Sequence, residues 1–278
     1  MVGDHVRPKR RDIDIPIPFE ITGFCQPSRG SQAVRDVPRI RDKPLRLQIQ
    51  EPEEGHLFGF PFLRGHIEQR AVLIAITGVG KTNAAMISTL FISQFKPTRL
   101  LYTGTAARIN HALRTGDIIL GKKTVHHDFG SLHANGMLYR KVIGPLPRKP
   151  TNYQYVPDQE LFELALAAAR TYQPPEITAN GTCYVPQVRP GIICSGDVFG
   201  MTEIKLQDIR AKLKADLVEM EGAAIGQVCH ELNLPHLVIR GGSNLAQESP
   251  GNDYKRLGQI AARSAALFTL HVVKQLPN

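Results

Sequence analysis

The sequence predicts an α/β fold in which helices cover a β-sheet. Two observations lead to this prediction. The chain has 278 residues, of which 42% are hydrophobic, so it can bury the core of one large domain or of two small ones. From residue 71 onward, short apolar segments alternate with stretches of helical periodicity, which is typical of a sheet covered by helices.

The individual elements follow from apolar runs and from the glycines and prolines that end them. Eight of the 20 prolines lie in residues 1–65, and we predict a poorly patterned arm there, with a hairpin over 57–67 that leads into the core. Strands are predicted at 71–76, 100–103, 117–120, 191–195 and 237–240. Helices are predicted at 83–94, 158–170, 203–214, 219–233 and 253–276.

The net charge of +9 suggests a polyanionic partner, but its distribution argues against one. Residues 1–70 hold 12 basic and 10 acidic side chains, and the rest of the chain holds 22 and 15, so the excess is spread out. Nucleic-acid binding requires a focused basic stripe, so we expect no nucleic-acid partner. No run of about 18 apolar residues exists, so we expect no transmembrane helix and no membrane partner.

Neither a targeting segment nor a disulfide framework is indicated. The basic residues at 7–11 are followed by alternating aspartate and isoleucine, which is not the apolar region of a signal peptide. The four cysteines are far apart and show no metal-binding spacing: Cys25, Cys183, Cys194 and Cys229. We therefore expect a reduced, cytoplasmic setting.

Residues 75–82 satisfy a relaxed P-loop pattern, with Ala75 in place of the first glycine. A glycine turn between a strand and a helix presents N–H groups to an anion. A nucleoside triphosphatase also needs an acidic Mg²⁺ ligand at the end of a neighbouring strand, and the next strand ends without a carboxylate. A tight strand-to-helix turn is the simpler interpretation, and the triphosphatase remains a rival hypothesis.

Glu219 and Glu221 open the helix predicted at 219–233. Carboxylates in a first turn stabilise a helix by about 0.3–1 kcal/mol each, which is one explanation for them. The second explanation is functional. Because the two side chains lie about 200° apart on a helix, one is predicted to serve structure while the other accepts hydrogen bonds from a sugar diol.

Two loops, at 195–199 and 240–244, follow apolar strands, where open α/β sheets place ligands. Phe199 is either a core residue, the more frequent role, or a ring that stacks on a planar base. Asn244 offers a donor and an acceptor to a heterocycle, although asparagine after glycines is also an ordinary turn residue. His127 and Asp128 are either a catalytic pair or polar loop residues.

Taken in order, several segments resemble the nucleoside phosphorylase and nucleosidase superfamily, and most closely the 5′-methylthioadenosine/S-adenosylhomocysteine nucleosidases. The segments are 78–85, 95–97, 103–106, 115–117, 195–199, 218–221 and 239–243. The resemblance covers residues 66–278. It implies a single α/β domain with a central mixed sheet, and hydrolysis of the N-glycosidic bond of purine nucleosides through an oxocarbenium-like transition state.

The resemblance also implies roles for individual residues. Met220 and Glu221 would hold the ribose beside Glu219, with Glu221 on its hydroxyls. The remaining substrate-binding residues would line the base pocket: Phe199, Ser243 and the turn of Thr105, Ala106 and Ala107.

Two positions depart from the family pattern, and both concern catalysis. The nucleosidases donate a proton to the purine from an aspartate, where this chain has Asn244. An amide donates a hydrogen bond but transfers no proton, so a carboxylate-dependent rate should fall by about 10²–10⁴. Some purine nucleoside phosphorylases use asparagine against 6-oxopurines, so the change alters the base preference or weakens the chemistry. The only candidate for the water-activating glutamate is Glu20, after a stretch over 13–20 that two prolines make a poor central strand.

Two further positions bear on phosphate. Hexameric phosphorylases bind phosphate through an arginine where this chain has Tyr102, whereas Arg108 replaces a typical nucleosidase glycine and is a candidate to reach an anion. Hydrolysis is therefore favoured over phosphorolysis, with phosphate kept as an optional partner. We expect a homodimer that binds a small purine nucleoside and uses no metal or organic cofactor. The alternatives are a purine nucleoside phosphorylase and a nucleoside-binding homologue that has lost catalysis.

Overall fold

The computed structural model describes residues 20–23, 48–134, 136–142, 154–246 and 252–277, with side chains outside 20–23 and 252–255. The strands in these ranges are β1 (Glu20–Gly23), β2 (Gln50–Leu57), β3 (Phe60–Ile67), β4 (Arg70–Ala75), β5 (Arg99–Arg108), β6 (Ile118–His126), β7 (Gly130–His133), β8 (Gly136–Tyr139), β9 (Gln154–Tyr155), β10 (Ile177–Ala179), β11 (Thr182–Tyr184), β12 (Val188–Ser195), β13 (Leu217–Glu219) and β14 (His236–Leu245). The helices are α1 (Lys81–Phe95), α2 (Gln159–Thr171), α3 (Glu203–Leu213), α4 (Gly222–Leu232) and α5 (Asn252–Val273).

A large mixed sheet organises these elements. Its strand order is β13, β12, β6, β14, β5, β1, β4, β3, β2, and β9 pairs with β6 as a tenth strand of the described part. Because β13 also pairs with β5, the strands β5, β14, β6, β12 and β13 form a closed ring. Parallel and antiparallel neighbours both occur, so the predicted mixed sheet is confirmed.

Helices pack on both faces of the sheet. The alternation of side chains along β4 shows the two layers, since neighbouring residues of a strand point to opposite faces. Ile74 belongs to the core cluster that contains Phe268 of α5, and Leu73 belongs to the cluster that contains Phe91 of α1. The predicted α/β architecture is therefore confirmed. No helix in the described ranges is long and apolar enough to cross a membrane.

The strand β1 lies in the middle of the sheet and pairs in parallel with both β4 and β5. The register places Glu20 opposite Arg99, at the amino ends of these strands, and Gly23 opposite Tyr102. The predicted strand over 13–20 lies outside the described residues except for Glu20. The observed strand instead begins at Glu20, beyond the two prolines that could not donate to a central ladder.

The strands are longer than apolar runs alone predict, because polar residues continue β5, β6 and β14. A hairpin is present where one is predicted, but it is longer: β2 and β3 span residues 50–67 and meet at a turn where Phe58 and Gly59 both have positive φ. The predicted boundary between residues 65 and 66 falls within β3, and β1 to β3 all belong to the main sheet.

One predicted helix start was wrong. The helix predicted at 219–233 begins at Gly222, while Glu219 is the last residue of β13. The physical reason is strand pairing, because β13 pairs with β12 and places Glu219 opposite Ser195. Glu219 and Glu221 are therefore not two residues of one helix.

Candidate active site

Buried charged side chains meet where β12, β13 and β14 lie close together. We call Ser195, Glu219, Glu221 and Arg240 the carboxylate cluster. The Ser195 hydroxyl and the Arg240 guanidinium both donate to Glu219, and Arg240 Nη2 lies 3.1 Å from Glu221 Oε2. Arg240 and Glu221 are fully buried. Since one cation contacts two buried carboxylates, the cluster is held by charge as well as by hydrogen bonds.

Glu219 organises the start of α4. Its carboxylate accepts from the N–H of Glu221 at 3.1 Å and from the N–H of Gly222 at 2.8–2.9 Å. The Ala223 N–H donates to Ser195 Oγ at 2.7 Å. These N–H groups belong to the first turn of a helix, which has no intrahelical partners for them. Of the two roles predicted for these glutamates, Glu219 thus has the structural one.

Glu221 is the residue immediately before α4, and its side chain reaches a different element. The N–H of Gly80, in the glycine turn before α1, donates to Glu221 Oε1 at 2.9 Å. Gly80 has φ of 94°, a conformation that favours glycine and turns this N–H toward the carboxylate. Glu221 is therefore fixed from one side by a main-chain N–H and from the other by Arg240.

Tyr102 lies beneath Arg240. The guanidinium carbon is 4.5 Å from the centre of the Tyr102 ring, and the Tyr102 hydroxyl is 2.9 Å from Thr77 Oγ1. A cation over an aromatic face is attracted by the ring quadrupole. Tyr102, which stands where phosphorylases carry an arginine, thus stabilises the Arg240 guanidinium in this chain.

The glycine turn itself is occupied by carboxylates of the protein. Besides the bond from Gly80 to Glu221, the N–H of Lys81 donates to Asp197 Oδ1 at 2.8 Å. Lys81 Nζ lies 2.6 Å from Asp128 Oδ1, and the N–H of Asp197 donates to Asp128 Oδ2. The lysine and N–H groups that a P-loop would offer to phosphate are therefore engaged within the chain, which favours the interpretation as a strand-to-helix turn.

Burial and hydrogen bonding set the protonation states of the residues beside this turn. Burial alone would raise the pKa of Asp128, but hydrogen bonds from Lys81 and from the Asp197 N–H lower it below its usual value. Burial lowers the pKa of both His126 and His127, so both rings are held neutral. In the described ranges, no three His, Cys, Asp or Glu side chains are grouped to hold a metal ion.

A second polar group lies near the end of β14, in a segment that we call the Ser243–Asn244 bulge (residues 242–245). The register of β14 against β5 shifts between Gly242 and Leu245, so Ser243 and Asn244 leave the regular ladder. Asn244 is 6% exposed. Its Nδ2 donates to Leu245 O at 2.8 Å, and its Oδ1 accepts from the Ser243 hydroxyl at 3.1 Å. Bulges re-aim side chains, which suits a binding loop.

Main-chain carbonyls hold this bulge in place. The Ser243 hydroxyl also lies 3.0 Å from Ala106 O, and Ser243 O accepts from Thr115 Oγ1 at 3.0 Å. Arg108 Nε donates to the same Ser243 carbonyl at 2.8 Å. Arg108 is therefore directed at the backbone of the bulge, although the sequence made it a candidate for an anion.

The other predicted residues are placed as follows. Thr105 and Ala107 are half-buried on β5, and Met220 is half-buried between the two glutamates. Phe199 is 58% exposed, so its interpretation as a core residue was wrong. Glu20 lies at the amino end of β1, opposite Arg99. The structure thus brings Glu219 together with Glu221, and Ala106 together with Ser243 and Asn244.

A sequence model of the phosphorylase superfamily matches residues 31–274. The chain belongs to this superfamily. Its curated relatives include the 5′-methylthioadenosine/S-adenosylhomocysteine nucleosidase of Bacillus velezensis, 33% identical over 235 residues that cover 84% of this chain and 93% of the relative. The nucleosidase of Tolumonas auensis is 30% identical over 233 residues, with 84% and 94% coverage. Within the superfamily, the chain therefore belongs with the nucleosidases.

Solved structures of the superfamily agree with this placement. The nucleosidase of Neisseria meningitidis, in complex with methylthio-immucillin-A, has a TM-score of 0.74 and 27% identity, and the match covers 94% of this chain and all of that one. Futalosine hydrolase of Helicobacter pylori has a TM-score of 0.72 at 22% identity, with 94% and 99% coverage, and shows the shared fold.

Sequence reasoning missed several residues that this superfamily member places around its site. The sequence indicates Arg240 only as part of a loop, although a charged residue directly after the apolar run at 237–239 is a signal for a buried ion pair. The sequence indicates Gly80 and Asp197 but not their hydrogen-bond partners, which are Glu221 and the N–H of Lys81. Thr115 gave no signal that it would reach Ser243 O.

Proposed function

We propose that this protein hydrolyses the N-glycosidic bond of purine nucleosides related to methylthioadenosine and adenosylhomocysteine. The observation that carries the proposal is the position of Glu221, a buried carboxylate held between the Gly80 N–H and Arg240. A carboxylate can accept hydrogen bonds from two vicinal hydroxyls at once, so a ribose is a suitable ligand. The names of the relatives point to the same class of substrate.

The carboxylate cluster suits the ribosyl half of the reaction. Breaking a glycosidic bond places positive charge on the sugar ring, and a fixed negative group close to the ribose stabilises that charge. Glu221 is already oriented before the substrate arrives, since Gly80 and Arg240 hold it. We assign Met220 to the same side of the substrate, because it lies between the two glutamates.

The Ser243–Asn244 bulge suits the leaving base. A departing purine carries negative charge, which a hydrogen bond donated to N7 stabilises. Asn244 Nδ2 is such a donor and Ser243 orients the amide, but no proton transfer is available from either. We assign Thr105, Ala106, Ala107 and Phe199 to the walls of the base pocket.

Water is the proposed nucleophile, with phosphorolysis as the alternative outcome. Tyr102 supplies a neutral ring where phosphorylases carry a phosphate-binding arginine, and its hydroxyl is engaged by Thr77. Arg240, on the neighbouring strand, is engaged by the two glutamates. Glu20 is not included in this proposal, because the register places it at the far end of β1 from Gly23.

The test measures release of free base from methylthioadenosine, adenosylhomocysteine, adenosine and inosine, each with and without inorganic phosphate. We expect release that does not depend on phosphate. Turnover that requires phosphate would change the assignment to a phosphorylase. Absence of release from all four nucleosides would overturn the assignment as an enzyme.

Asn244 favours a second candidate, a nucleoside-binding homologue without catalysis. This candidate predicts that the wild-type protein binds methylthioadenosine in calorimetry without releasing base, and that Asn244→Asp gains measurable hydrolysis because a carboxyl group can transfer a proton. Robust turnover by the wild-type protein excludes it. Asn244→Ser is the matched control, since it also changes the amide but supplies no acid.

We further propose that the protein is a cytoplasmic homodimer. Large apolar side chains are exposed on the hairpin of β7 and β8 and on the neighbouring start of α3, including Leu132, Leu138 and Ile204. Burying these side chains against a second copy of the chain would remove apolar surface from water, which favours association. Light scattering should therefore give twice the 30.8 kDa mass of the chain, and Leu132→Glu should shift the mass toward the monomer. A monomer at micromolar concentration would contradict this proposal.

A further inference from the structure

Arg108 is a buried arginine at the last position of β5, and its side chain is directed at carbonyl oxygens. Its Nε donates to Ser243 O at 2.8 Å, and its Nη1 donates to Leu113 O at 2.6 Å. Guanidinium groups present several donors in a fixed plane, so one side chain can hold two carbonyls at a set separation. Arg108 thus joins the Ser243–Asn244 bulge to the turn that precedes β6.

The main chain of Arg108 contacts the other end of the same bulge. Its carbonyl accepts from the Ala246 N–H at 2.9 Å, and its Cα is paired with Leu245 after the shift in register. The bulge therefore leaves β5 after Gly242 and returns at Leu245, with Arg108 in contact with both sides. Thr115 also donates to the Ser243 carbonyl, but in these contacts Arg108 is the residue that bonds both ends of the excursion.

Gly242 provides the space for the arginine. A Cβ atom at position 242 would lie 2.9 Å from Arg108 Cγ and 3.1 Å from Arg108 Cδ. Those atoms belong to the buried stem of the side chain rather than to its free end, so the stem cannot easily move away. Arg108 and Gly242 are therefore sterically complementary.

We propose that Arg108 is a positioning residue that sets the direction of the Asn244 amide toward the leaving base. This inference rests on the proposed function. An amide that transfers no proton stabilises the departing purine only through a hydrogen bond, and hydrogen bonds weaken steeply with misalignment. With asparagine at position 244, stabilisation of the leaving base therefore depends on the geometry of the Ser243–Asn244 bulge. Arg108 fixes that geometry through the Ser243 carbonyl.

The first experiment compares Arg108→Met with the wild-type protein on two substrates. One is the purine nucleoside that the wild-type protein cleaves best, and the other is p-nitrophenyl riboside, whose leaving group departs without a hydrogen bond from the enzyme. We expect kcat for the purine nucleoside to fall by about tenfold or more, with KM changed by less than about threefold. The reason is that the hydrogen bond from Asn244 to the departing base acts mainly in the transition state, and a misaligned donor weakens it there. We expect the p-nitrophenyl riboside rate to stay within about twofold, since its departure does not use Asn244.

Arg210→Met is the matched control. Arg210 also donates to a main-chain carbonyl, that of Ala215 at 2.6 Å, but it lies on α3 and contacts no residue of the bulge. It should leave both rates unchanged. Arg108→Lys keeps the charge and one donor, and it should recover part of the lost purine rate. An equal loss on both substrates, or no loss on the purine nucleoside, would overturn the proposal.

A double-mutant cycle tests the complementarity with Gly242. Gly242→Ala should reproduce the selective loss on purine nucleosides in the wild-type background. The same substitution should have little further effect in Arg108→Ala, because the stem that it displaces is gone, so the two effects should not add. Additive effects would contradict the steric part of the inference.

A readout that needs no turnover separates this inference from the proposed function. In protein labelled with ¹⁵N-asparagine, the side-chain amide signal of Asn244 is assigned by its loss in Asn244→Asp. The chemical shift of this signal should change in Arg108→Met and in Gly242→Ala but not in Arg210→Met. A wild-type protein without turnover would refute the proposed function alone, whereas an unmoved amide signal would refute the role of Arg108 alone.

Discussion

The carboxylate cluster and the Ser243–Asn244 bulge both include residues of β14, yet they are held by different means. In the cluster, the positive charge of Arg240 is paired with the negative charges of Glu219 and Glu221, and all three side chains are buried. In the bulge, a neutral serine and a neutral asparagine donate to main-chain carbonyls, and Arg108 and Thr115 donate to the Ser243 carbonyl from outside. One end of the site is fixed by side-chain charge and the other by backbone geometry.

This difference suggests how the two halves divide the reaction. Paired buried charges are costly to disturb, so the ribose side provides a rigid electrostatic field. A bulge held mostly by neutral hydrogen bonds, with Arg108 as its one charged donor, is worth less energy and tolerates substitution more easily. On the proposed assignment, substitutions on the base side should therefore change base preference without unfolding the chain, and the following predictions probe that contrast.

The largest expected effect is on stability, at Arg240. Arg240→Met leaves two buried carboxylates without their cation, and breaking such a pair costs about 3–5 kcal/mol. Urea denaturation at pH 7 should show this loss. Arg210→Met is the control, because the pair of Arg210 with Asp216 is partly exposed and should contribute about 1 kcal/mol or less. A loss below about 1 kcal/mol for Arg240→Met would show that the cluster is not held by charge.

A smaller effect is expected on activity at Glu221. Glu221→Gln keeps the volume but replaces a charged acceptor with an amide that faces the donors of Gly80 and Arg240. Since hydrogen bonds to a charged group are worth about 1.5–3 kcal/mol, kcat/KM for base release should fall by about 10²-fold. Glu203→Gln, on the exposed first turn of α3, is the control. Activity within twofold of wild type would remove Glu221 from the ribose site.

The third prediction concerns pH, at the opposite end of β14 from the bulge. Burial lowers the pKa of His236 to about 4, so it stays neutral in the folded protein while the unfolded chain binds a proton below about 6.5. The folded state then binds fewer protons, and stability should fall by about 2–3 kcal/mol as the pH drops from 6.5 to 4.

Denaturation curves at pH 7, 5.5 and 4.5 check this expectation. His236→Gln should reduce the dependence on pH, whereas the exposed His133→Gln should leave it unchanged. Identical slopes for wild type and His236→Gln would contradict the assignment. Because Ser243 and Asn244 carry no group that titrates in this range, the bulge itself should contribute nothing to this dependence on pH.

The smallest effect is expected at the glycine turn. Lys81→Met removes a half-buried ion pair with Asp128, and such pairs contribute about 0–1 kcal/mol. Stability should therefore fall by no more than about 1 kcal/mol, and the wild-type protein should bind no ATP in the presence of Mg²⁺. Tight Mg²⁺-dependent ATP binding that Lys81→Met abolishes would revive the P-loop hypothesis.

The contrast between the two regions also explains what the sequence could predict. Glu219, Glu221 and the glycine turn were recognisable because charged residues and glycines at strand ends are unusual and informative. The helix predicted through Glu219 was wrong because only the pairing of β13 with β12 and β5, which joins distant segments, fixes those residues as a strand.

The base side was less predictable for the same reason. The sequence indicated Asn244 and Ser243, but the carbonyl partners that fix them carry no sequence signal, since every residue has a carbonyl group. The role of Arg108 follows only from the register shift of β14 and from the close packing of its stem against Gly242. The sequence leaves Phe199 between a core role, the more frequent one, and a place in the base pocket, and its exposure in the loop that follows β12 excludes the core role.

The position of β1 has a consequence for how the chain is made. This strand is the first described element in sequence, yet it pairs with β4 and β5. Ile21 can therefore take its place in the sheet only after Leu73 and Leu100 have been synthesised. Closing such long loops costs entropy, and non-local parallel pairing is slow. During synthesis, the middle of the sheet therefore cannot close until the residues of β5 have left the ribosome. A deletion that removes residues 20–23 would divide the sheet at its centre instead of trimming an edge.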